Sequence, residues 1–275
     1  MYTLPNAKIN IGLNITNRRP DGYHEIETIF YPIRLTDSLE IKTAPALCET
    51  PVSLHLSGFT IDGNPQDNLV TKVCLAMSKR FNLPPIDVFL GKHIPMGAGL
   101  GGGSSDAAFA AKMLNELFSL GLDNKELEAI VAPFGADCPF FVTGQPVYAE
   151  GKGDKFSPVN INLRGLYIAL VKPPIHISTR EAYCSVTPRP SMRNLADDVA
   201  RLPIEKWNDI VSNQFEETLF KHYPLLSALK QTLFDMGALY ASMSGSGSAI
   251  YGIFNRPIDN IKEVFPDCFT YTDRL

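Results

Sequence analysis

One stretch of fourteen residues, PMGAGLGGGSSDAA from Pro95 to Ala108, constrains the fold more than any other part of the chain. It contains five glycines and runs directly into a segment whose apolar residues recur at helical spacing as far as Gly121. Glycine lets the backbone adopt positive φ angles and approach a ligand closely. The stretch therefore predicts a loop of bare backbone that opens into a helix of about four turns.

The start of this helix has the features of an anion site. Ser104, Ser105 and Asp106 are expected at the N-cap region, where backbone N–H groups lack helical partners. These amides and the helix dipole attract negative charge, and a phosphate chain is the ligand that such loops most often bind. The alternative is a flexible turn capped by serine, which binds nothing.

Three familiar nucleotide loops do not fit the sequence. A Walker loop requires a lysine before the serine, and Gly103 is followed directly by Ser104. Residues 97–102 match the glycine spacing of a dinucleotide fingerprint, but Pro95 separates them from the preceding strand, and a helix is predicted where the acidic strand end belongs. The H-R-D and D-F-G strings of protein kinases do not occur.

Composition limits the classes of protein to which the chain can belong. Its 275 residues exceed the usual size of one core, so we expect two domains or one large domain. The net charge of −4 argues against broad electrostatic capture of nucleic acid. No apolar run approaches the roughly 20 residues of a membrane span, and no targeting segment is predicted. We expect neither nucleic acid nor membrane as a partner, and infer no required protein partner.

The cysteines indicate a reducing compartment. They are five in number, far apart and without a C-x-x-C pair, so we expect reduced thiols and a cytoplasmic protein: Cys48, Cys74, Cys138, Cys184 and Cys268. Cys138 is expected to be a small packed residue rather than a nucleophile. The histidines form no H-E-x-x-H set, so zinc is not expected.

The order of predicted elements favours the α+β class. NAKINIGLNI predicts a strand with Lys8, Asn10, Gly12 and Asn14 on a polar face that is open to ligands. Further strands and helices mix without strict alternation. Helices are predicted in DNLVTKVCLAMSKRF, NKELEAIVAPF, MRNLADDVARLP, KWNDIVSNQFEETLF and YPLLSALKQTLFDMG, and strands in DSLEIKT, VSLHLSG, PIDVFLGKHIP, CPFFVTGQPVYAEGKGD, GLYIALVKP and ALYASMSGSGSAIYGIF.

The sequence also predicts a domain boundary. Glycine, proline and charged residues cluster at 151–158, which predicts domains at 1–154 and 155–275.

Three segments in order resemble the motifs of the GHMP small-molecule kinases. NAKINIGLNI is similar to the first motif, PMGAGLGGGSSDAA to the second and MSGSGSAIYGIF to the third. The segments RRPDGYHEIETIF, DNL, GADCPFF and AEGKGD narrow the resemblance to the branch that acts on a cytidine-diphosphate-linked methylerythritol. The resemblance implies a two-domain fold, with a ribosomal-protein-S5-domain-2-like N-terminal domain and a ferredoxin-like C-terminal domain. It also implies phosphorylation of the substrate's 2-hydroxyl, with ATP and Mg²⁺ as cofactors.

The resemblance assigns roles to individual residues. Lys8 and Asp137 are the catalytic candidates, with Lys8 reaching the reacting oxygens and Asp137 acting as general base. The ATP-binding candidates are Asn68, Lys92, Pro95, Met96, Gly97, Ala98, Gly99, Leu100, Gly101, Gly102, Gly103, Ser104 and Ser105. The substrate candidates are Asn10, Tyr23, His24, Thr179 and Tyr183, and the third glycine motif contributes Gly245, Ser246 and Gly247. The ligands of the metal are not assigned.

The residues alone leave alternatives open. Lys8 is compatible with a solvated surface lysine, Asp137 with a turn cap, and Tyr23 with an ordinary loop residue. At the level of function, one alternative is another kinase of the family, of the homoserine or mevalonate type, which has no need of the DGYH segment. The other is a non-catalytic nucleotide-binding protein, in which Lys8 and Asp137 are under no constraint.

Overall fold

The computed structural model describes residues 1–45, 50–61 and 64–275 of the chain. Its strands are β1 (Tyr2–Thr3), β2 (Asn6–Arg18), β3 (His24–Thr36), β4 (Ser38–Thr43), β5 (Val52–Gly58), β6 (Ile86–Lys92), β7 (Val147–Glu150), β8 (Lys155–Pro158), β9 (Tyr167–Lys172), β10 (Tyr240–Met243), β11 (Ile250–Phe254) and β12 (Phe269–Arg274).

The α-helices are α1 (Leu69–Phe81), α2 (Gly102–Leu117), α3 (Asn124–Val131), α4 (Phe140–Thr143), α5 (Thr179–Ser185), α6 (Leu195–Arg201), α7 (Glu216–His222), α8 (Pro224–Asp235) and α9 (Ile261–Val264). Short 3-10 helices cover Pro65–Asp67, Ala132–Phe134 and Ile204–Asp209. The mixture of helices and mostly antiparallel strands confirms the predicted α+β class.

The chain divides into two compact units that interleave along the sequence. The first comprises Met1–Ala7, Arg34–Met96 and Gly101–Gln145, and the second comprises Lys8–Ile33, Gly97–Leu100 and Pro146–Leu275. The boundary at residue 154, which was placed on the cluster of glycine, proline and charge at 151–158, stays a prediction.

The first unit is built on one four-stranded sheet in the order β1-β4-β6-β5, in which only β5 and β6 are parallel. Helices α1 and α2 pack against each other, α1 on β5 and α2 on β4. Helix α1 begins where Asn68 Oδ1 accepts a hydrogen bond from the N–H of Val70 (2.9 Å), and it ends at Asn82, whose φ is 51°. Apolar side chains at helical spacing on α1, such as Val73 and Met77, are fully buried.

The second unit contains two further four-stranded sheets, in the orders β2-β3-β7-β8 and β10-β11-β9-β12. Its core includes Val171 of β9, Phe254 of β11, and Leu226 and Leu233 of α8. Strand β2 is buried on both faces, which corrects the prediction of a polar face open to ligands. The polar side chains of β2 are covered because other segments hydrogen-bond to them, as described below.

Two predicted elements are wrong in part. The helix predicted over residues 206–220 is interrupted between Asp209 and Glu216, because residues 212–214 leave helical geometry to pair with β2. The strand predicted from residue 138 begins only at Val147, because residues 140–143 form the helical turn α4, which ends at Gly144 with φ 63°. Helix α2 ends at Leu117, four residues before the predicted stop.

Two further sequence-based expectations concern cysteines and membranes. Cys74, Cys138, Cys184 and Cys268 are free thiols, as predicted, whereas Cys48 lies outside the described residues. A search of the described part of the chain for helices long and apolar enough to span a membrane finds none.

Candidate functional site

The glycine-rich loop has the predicted backbone, but its helix starts earlier than expected. Gly97, Gly99 and Gly101 have φ angles of 57°, 75° and 72°, in the left-handed region that favours glycine. Gly101, which has no side chain, is the N-cap of α2, and the helix begins at Gly102. Ser104, Ser105 and Asp106 therefore lie inside the first turns rather than at the cap. The placement of these three residues was therefore wrong by about one turn.

The helix start keeps its predicted chemistry despite this shift. The N–H of Ser105 is the first to donate within the helix, to Gly101 O (2.9 Å), so the amides of residues 102–104 precede the first helical bond. Met96, Gly97 and Gly103 are exposed, whereas Pro95, Ala98 and Leu100 are buried. The loop thus combines exposed backbone with side chains that anchor it.

Gly99 lies closer to the third glycine motif than any side chain permits. A Cβ atom at Gly99 would stand 1.9 Å from the carbonyl oxygen of Ser244. The Ser244 hydroxyl donates in turn to Gly99 O (2.8 Å). A Cβ atom added to Gly245 would lie 3.2 Å from the Gly99 Cα. The second and third motifs therefore meet backbone to backbone at this residue.

Lys8 of β2 reaches the same carbonyl. Its Nζ donates to Gly99 O (2.9 Å) and to Asn10 Oδ1 (2.6 Å), and its side chain is 3% exposed. The N–H of Asn10 donates to Ser244 Oγ (3.2 Å), and the amide of Asn10 donates to Thr28 Oγ1 (2.9 Å). The structure thus brings together predicted residues from all three motifs and excludes the solvated-lysine interpretation of Lys8.

The third motif itself turns tightly between β10 and β11. Gly245 and Gly247 have φ angles of 54° and 80°, and the N–H of Gly247 donates to Ser244 O (2.9 Å). The Ser246 side chain lies between these two glycines and is half-buried.

Asp137 lies in a turn that packs on the first turn of α2. A Cβ at Gly135 would be 3.5 Å from Ser104 Oγ and 3.1 Å from Cys138 Sγ. Burial raises the pKa of the Cys138 thiol to about 11, with Asp137 adding to the increase and a hydrogen bond with Ser104 opposing it. Cys138 is fully buried and protonated, which confirms the prediction of a packed thiol.

The aromatic substrate candidates lie in the second unit. The rings of His24 and Tyr183 stack with centroids 4.9 Å apart, and Tyr183 also meets the edge of Phe215. Thr179 begins α5 and stands one turn before Tyr183. Tyr23 is 59% exposed, and the Lys152 ammonium lies 4.9 Å from its ring centroid. Burial, with Arg18 nearby, lowers the pKa of His24, so its imidazole is neutral at neutral pH.

Lys92 and Asn68 have structural partners that bear on their predicted adenine contacts. The Lys92 ammonium is buried between the carboxylates of Asp37 and Asp106, with 2.6 Å to Asp106. Asn68 uses its Oδ1 to cap α1. The adenine contacts of Asn68 and Lys92 both stay predictions. The burial of the Lys92 ammonium between two carboxylates does not favour a contact between Lys92 and adenine.

Asp37 is a functional candidate that the sequence analysis missed, and Asp106, which was expected only as a residue of the N-cap region, is a second one. Asp37 accepts hydrogen bonds from the N–H groups of His93 and Ile94 (2.8 Å to Ile94), immediately before the glycine loop. Asp106 lies in the helix immediately after that loop. Through Lys92 the two carboxylates therefore tie the entry of the loop to its exit. Asp106 is visible in the motif itself, whereas nothing in the sequence near Asp37 points to the loop.

The described residues contain no group of three or more histidine, cysteine, aspartate or glutamate side chains able to hold a metal ion. Two buried oxygens, Ser105 Oγ and Asp106 Oδ1, have no hydrogen-bond partner in the described part of the chain. A Mg²⁺ ion carried by phosphate groups suits such a site, because Mg²⁺ keeps several waters and needs only one or two protein ligands.

Comparison with known proteins identifies close relatives. The family model described as GHMP kinases N terminal domain matches residues 68–145, and that described as GHMP kinases C terminal matches residues 195–269. A protein of Bacteroides thetaiotaomicron named 4-diphosphocytidyl-2-C-methyl-D-erythritol kinase is 50% identical over 254 residues, which are 92% of each chain.

Solved structures agree with this result. The crystal structure of a 4-(cytidine 5'-diphospho)-2C-methyl-D-erythritol kinase is similar with a TM-score of 0.79 at 29% identity, over 99% of this chain and 98% of that one. Methanococcus jannaschii mevalonate kinase has a TM-score of 0.69 at 14% identity, over 100% of this chain and 98% of that one, which shows the fold alone. The fold that the sequence motifs implied is thereby confirmed.

The contact at Gly99 yields a first prediction. We expect Gly99→Ala to lower the free energy of unfolding by about 2 kcal/mol more than Gly121→Ala, because added atoms in a packed site cost about 1–3 kcal/mol. Gly121 is a matched control, since its φ is 71° and a Cβ there meets nothing within 4 Å. Urea unfolding of both variants measures the difference, and equal losses would show that only the backbone angle matters.

The buried carboxylate yields a second prediction. Burial raises the pKa of Asp106 from 3.8 to about 7, against the opposing effect of Lys92. Its ionisation therefore costs stability, which falls as the pH rises from about 4 to about 7. Between pH 5 and pH 8 we expect the wild-type chain to lose about 2 kcal/mol more than Asp106→Asn.

Urea unfolding at the two pH values measures this loss, with the exposed Asp259→Asn as the control that follows the wild type. Parallel pH profiles for the wild type and Asp106→Asn would contradict the raised pKa.

Proposed function

The chain belongs to the GHMP kinase family, and from that membership we propose that it transfers the γ-phosphoryl group of ATP to the 2-hydroxyl of 4-diphosphocytidyl-2-C-methyl-D-erythritol. This reaction is a step in the non-mevalonate supply of isoprenoid precursors. The observation that supports the proposal most strongly is the convergence of Lys8, Asn10 and the third motif on Gly99. A buried lysine beside left-handed glycine backbone is suited to charged oxygens.

The phosphate chain of ATP is the natural ligand of the glycine loop. Phosphoryl transfer depends on positioning and charge neutralisation rather than on covalent chemistry by the protein. The amides at the start of α2 and the positive end of its dipole supply both without a side-chain charge. The unsatisfied hydroxyl of Ser105 adds a group for a phosphate oxygen or a Mg²⁺-bound water. When bound, Mg²⁺ neutralises charge on the phosphates.

Lys8 and Asp137 divide the work on the acceptor hydroxyl. Lys8 is held rigidly by Asn10 and by Gly99 O, so its ammonium is positioned in advance for the transferring group. Asp137 accepts the proton of the attacking hydroxyl. Its turn is joined to the first turn of α2 by the hydrogen bond between Cys138, the next residue, and Ser104.

The cytidine end of the substrate accounts for the aromatic residues. A neutral His24 presents one donor and one acceptor on different sides of its ring, and either can hydrogen-bond to the polar edge of cytosine, the donor to the ring nitrogen or the acceptor to the amino group. Tyr183 offers a ring for stacking, and Tyr23 lies next to His24 with its ring exposed. Since His24 already lies against Tyr183, a stacked base requires the imidazole to move to the edge of that base.

The alternative functions have less support. Mevalonate kinase shares the fold at 14% identity, a level at which nothing about the substrate follows. The DGYH segment and the His24–Tyr183 stack have no role in a homoserine or mevalonate kinase. A non-catalytic nucleotide-binding protein has no use for a lysine held by two hydrogen bonds against the glycine loop.

One experiment tests the proposal directly. The purified protein is incubated with Mg-ATP and the cytidine-diphosphate methylerythritol, ADP release is followed, and the new phosphate is located by ³¹P NMR. We expect a phosphomonoester on the 2-hydroxyl. Turnover of homoserine or mevalonate instead would support a kinase of this family and contradict the cytidine site. Binding of Mg-ADP without turnover of any of the three acceptors would favour the non-catalytic alternative.

Asp137→Asn tests the assignment of the general base. The amide cannot accept the proton, so we expect the turnover number to fall about 10²- to 10⁴-fold while the KM values change little. Asp259→Asn, at an exposed position, serves as the control and keeps wild-type turnover. A turnover number for Asp137→Asn close to that of the wild type would show that this carboxylate does not take the proton.

A further inference from the structure

The segment between the 3-10 helix Ile204–Asp209 and α7, which the sequence predicted to be helical, is instead bonded to the first-motif strand. The N–H of Leu13 in β2 donates to Ser212 O (2.9 Å), and the N–H of Gln214 donates to Leu13 O (2.8 Å). The Gln214 side chain adds a bond from the N–H of Ile15 (2.7 Å). Residues 212–214 thus form a short parallel bridge on β2.

Asn213, at the centre of this bridge, holds the third glycine motif. Its Nδ2 donates to Met243 O and to Gly245 O, both at 2.8 Å, and its Oδ1 accepts from the N–H of Phe215 (3.0 Å). The residue is 1% exposed. Both amide hydrogens are therefore used on one loop, and only an amide of this length supplies two donors and an acceptor in this arrangement.

Glu216 holds the same loop through the N–H of Met243, whose carbonyl is bound by Asn213. Its Oε1 accepts from the N–H of Met243 (2.7 Å) and from Ser242 Oγ (3.1 Å), while its Oε2 is paired with Lys230 (2.6 Å). The N–H of Met243 is thus fixed by Glu216 and its carbonyl by Asn213. The motif is clamped on both sides of Met243.

The clamp is connected to the reacting end of the site by direct contacts. Asn213 fixes the carbonyls of residues 243 and 245, and Ser244 lies between them. The Ser244 hydroxyl donates to Gly99 O, which also receives Lys8 Nζ. Three residues, Met243, Ser244 and Gly99, therefore connect Asn213 to the ammonium of Lys8.

We propose that Asn213 is a positioning residue for phosphoryl transfer, which sets the location of Ser244 and thereby of Gly99 and Lys8. This inference rests on the function proposed above. Asn213 donates to the carbonyls of the third motif, and its Oδ1 accepts from the N–H of Phe215, whose ring meets Tyr183. Because Asn213→Asp keeps that oxygen and removes the two donors, we expect this variant to affect the phosphoryl end of the reaction more than cytidine binding. A displacement of about 1 Å at a reacting group costs about 10²-fold in rate.

Asn213→Asp is the sharpest test because it keeps the size and removes both donors. The carboxylate faces two carbonyl oxygens in a buried position, which raises its pKa, and its protonated form regains one O–H donor. We expect the turnover number to fall about 10- to 100-fold at pH 8 and to recover partly as the pH is lowered. The wild type has no such recovery, because Asn213 does not titrate.

The matched control is Asn208→Asp. Asn208 makes the same kind of bond, from its Nδ2 to Leu239 O (2.7 Å), just before β10 but at an exposed position outside the motif. We expect this variant to keep wild-type turnover and a wild-type pH profile. The comparison separates loss of a bond to the glycine motif from loss of any asparagine–carbonyl bond.

Asn213→Ala is measured alongside, because it removes both donors without introducing a charge and guards against misfolding of the aspartate variant. For each variant, the turnover number, the KM for both substrates and the thermal midpoint are determined. We expect a lower turnover number with the KM for the cytidine compound nearly unchanged. Wild-type turnover in both Asn213 variants, or a turnover number and cytidine affinity that fall together with the folded fraction, would overturn the proposal.

The activity of the wild-type protein distinguishes failure of the proposed function from failure of the positioning role of Asn213. If the wild-type chain does not phosphorylate the cytidine compound, the same variants are compared with whichever acceptor it does phosphorylate, or by titration with Mg-ADP when it phosphorylates none. Asn213→Asp is then expected to bind Mg-ADP more weakly than Asn208→Asp. Equal binding would overturn the positioning role independently of the substrate.

Discussion

The contact between Gly99 and Ser244 is the constraint on which the rest of the site depends. No Cβ fits between the Gly99 Cα and the Ser244 carbonyl, and the left-handed φ of Gly99 turns its own carbonyl towards Lys8 and the Ser244 hydroxyl. One oxygen thus receives two donors from two distant parts of the sequence. Because an acceptor of this kind has two lone pairs, the arrangement is saturated, and a shift of the Gly99 carbonyl disturbs both bonds.

Buried charge is handled differently in the two units. In the second unit the Lys8 ammonium donates hydrogen bonds to two neutral oxygens, Asn10 Oδ1 and Gly99 O. In the first unit Lys92 is paired with two carboxylates. A cation neutralised in this way contributes little to anion binding, and removal of one partner leaves a costly buried charge. The sequence alone does not distinguish the surroundings of these two lysines, which only the structure shows.

Local signals in the sequence were sufficient for most of the elements and insufficient for their contacts. The apolar spacing of α1 predicted that helix correctly, and the glycine pattern predicted the left-handed loop. The alternation in β2 did not reveal that its polar face is buried, because the groups that cover it, such as Ser244, are more than 230 residues away. Asp37 and Asn213 were missed for the same reason. Each acts on a glycine motif far from it in the chain, and residues 212–214 exchange helix propensity for bonds to β2.

In the proposed function, phosphoryl transfer and recognition of the base depend on different residues. The bonds around Gly99 involve backbone groups, a lysine and small polar side chains, and none of them depends on which alcohol is phosphorylated. The residues proposed to recognise the base are different ones, in the DGYH segment and α5. A fold shared at 14% identity with a mevalonate kinase is understandable on this basis. The glycine network needs only a few side chains and a precise backbone path, so most other positions, including those that choose the substrate, are free to differ.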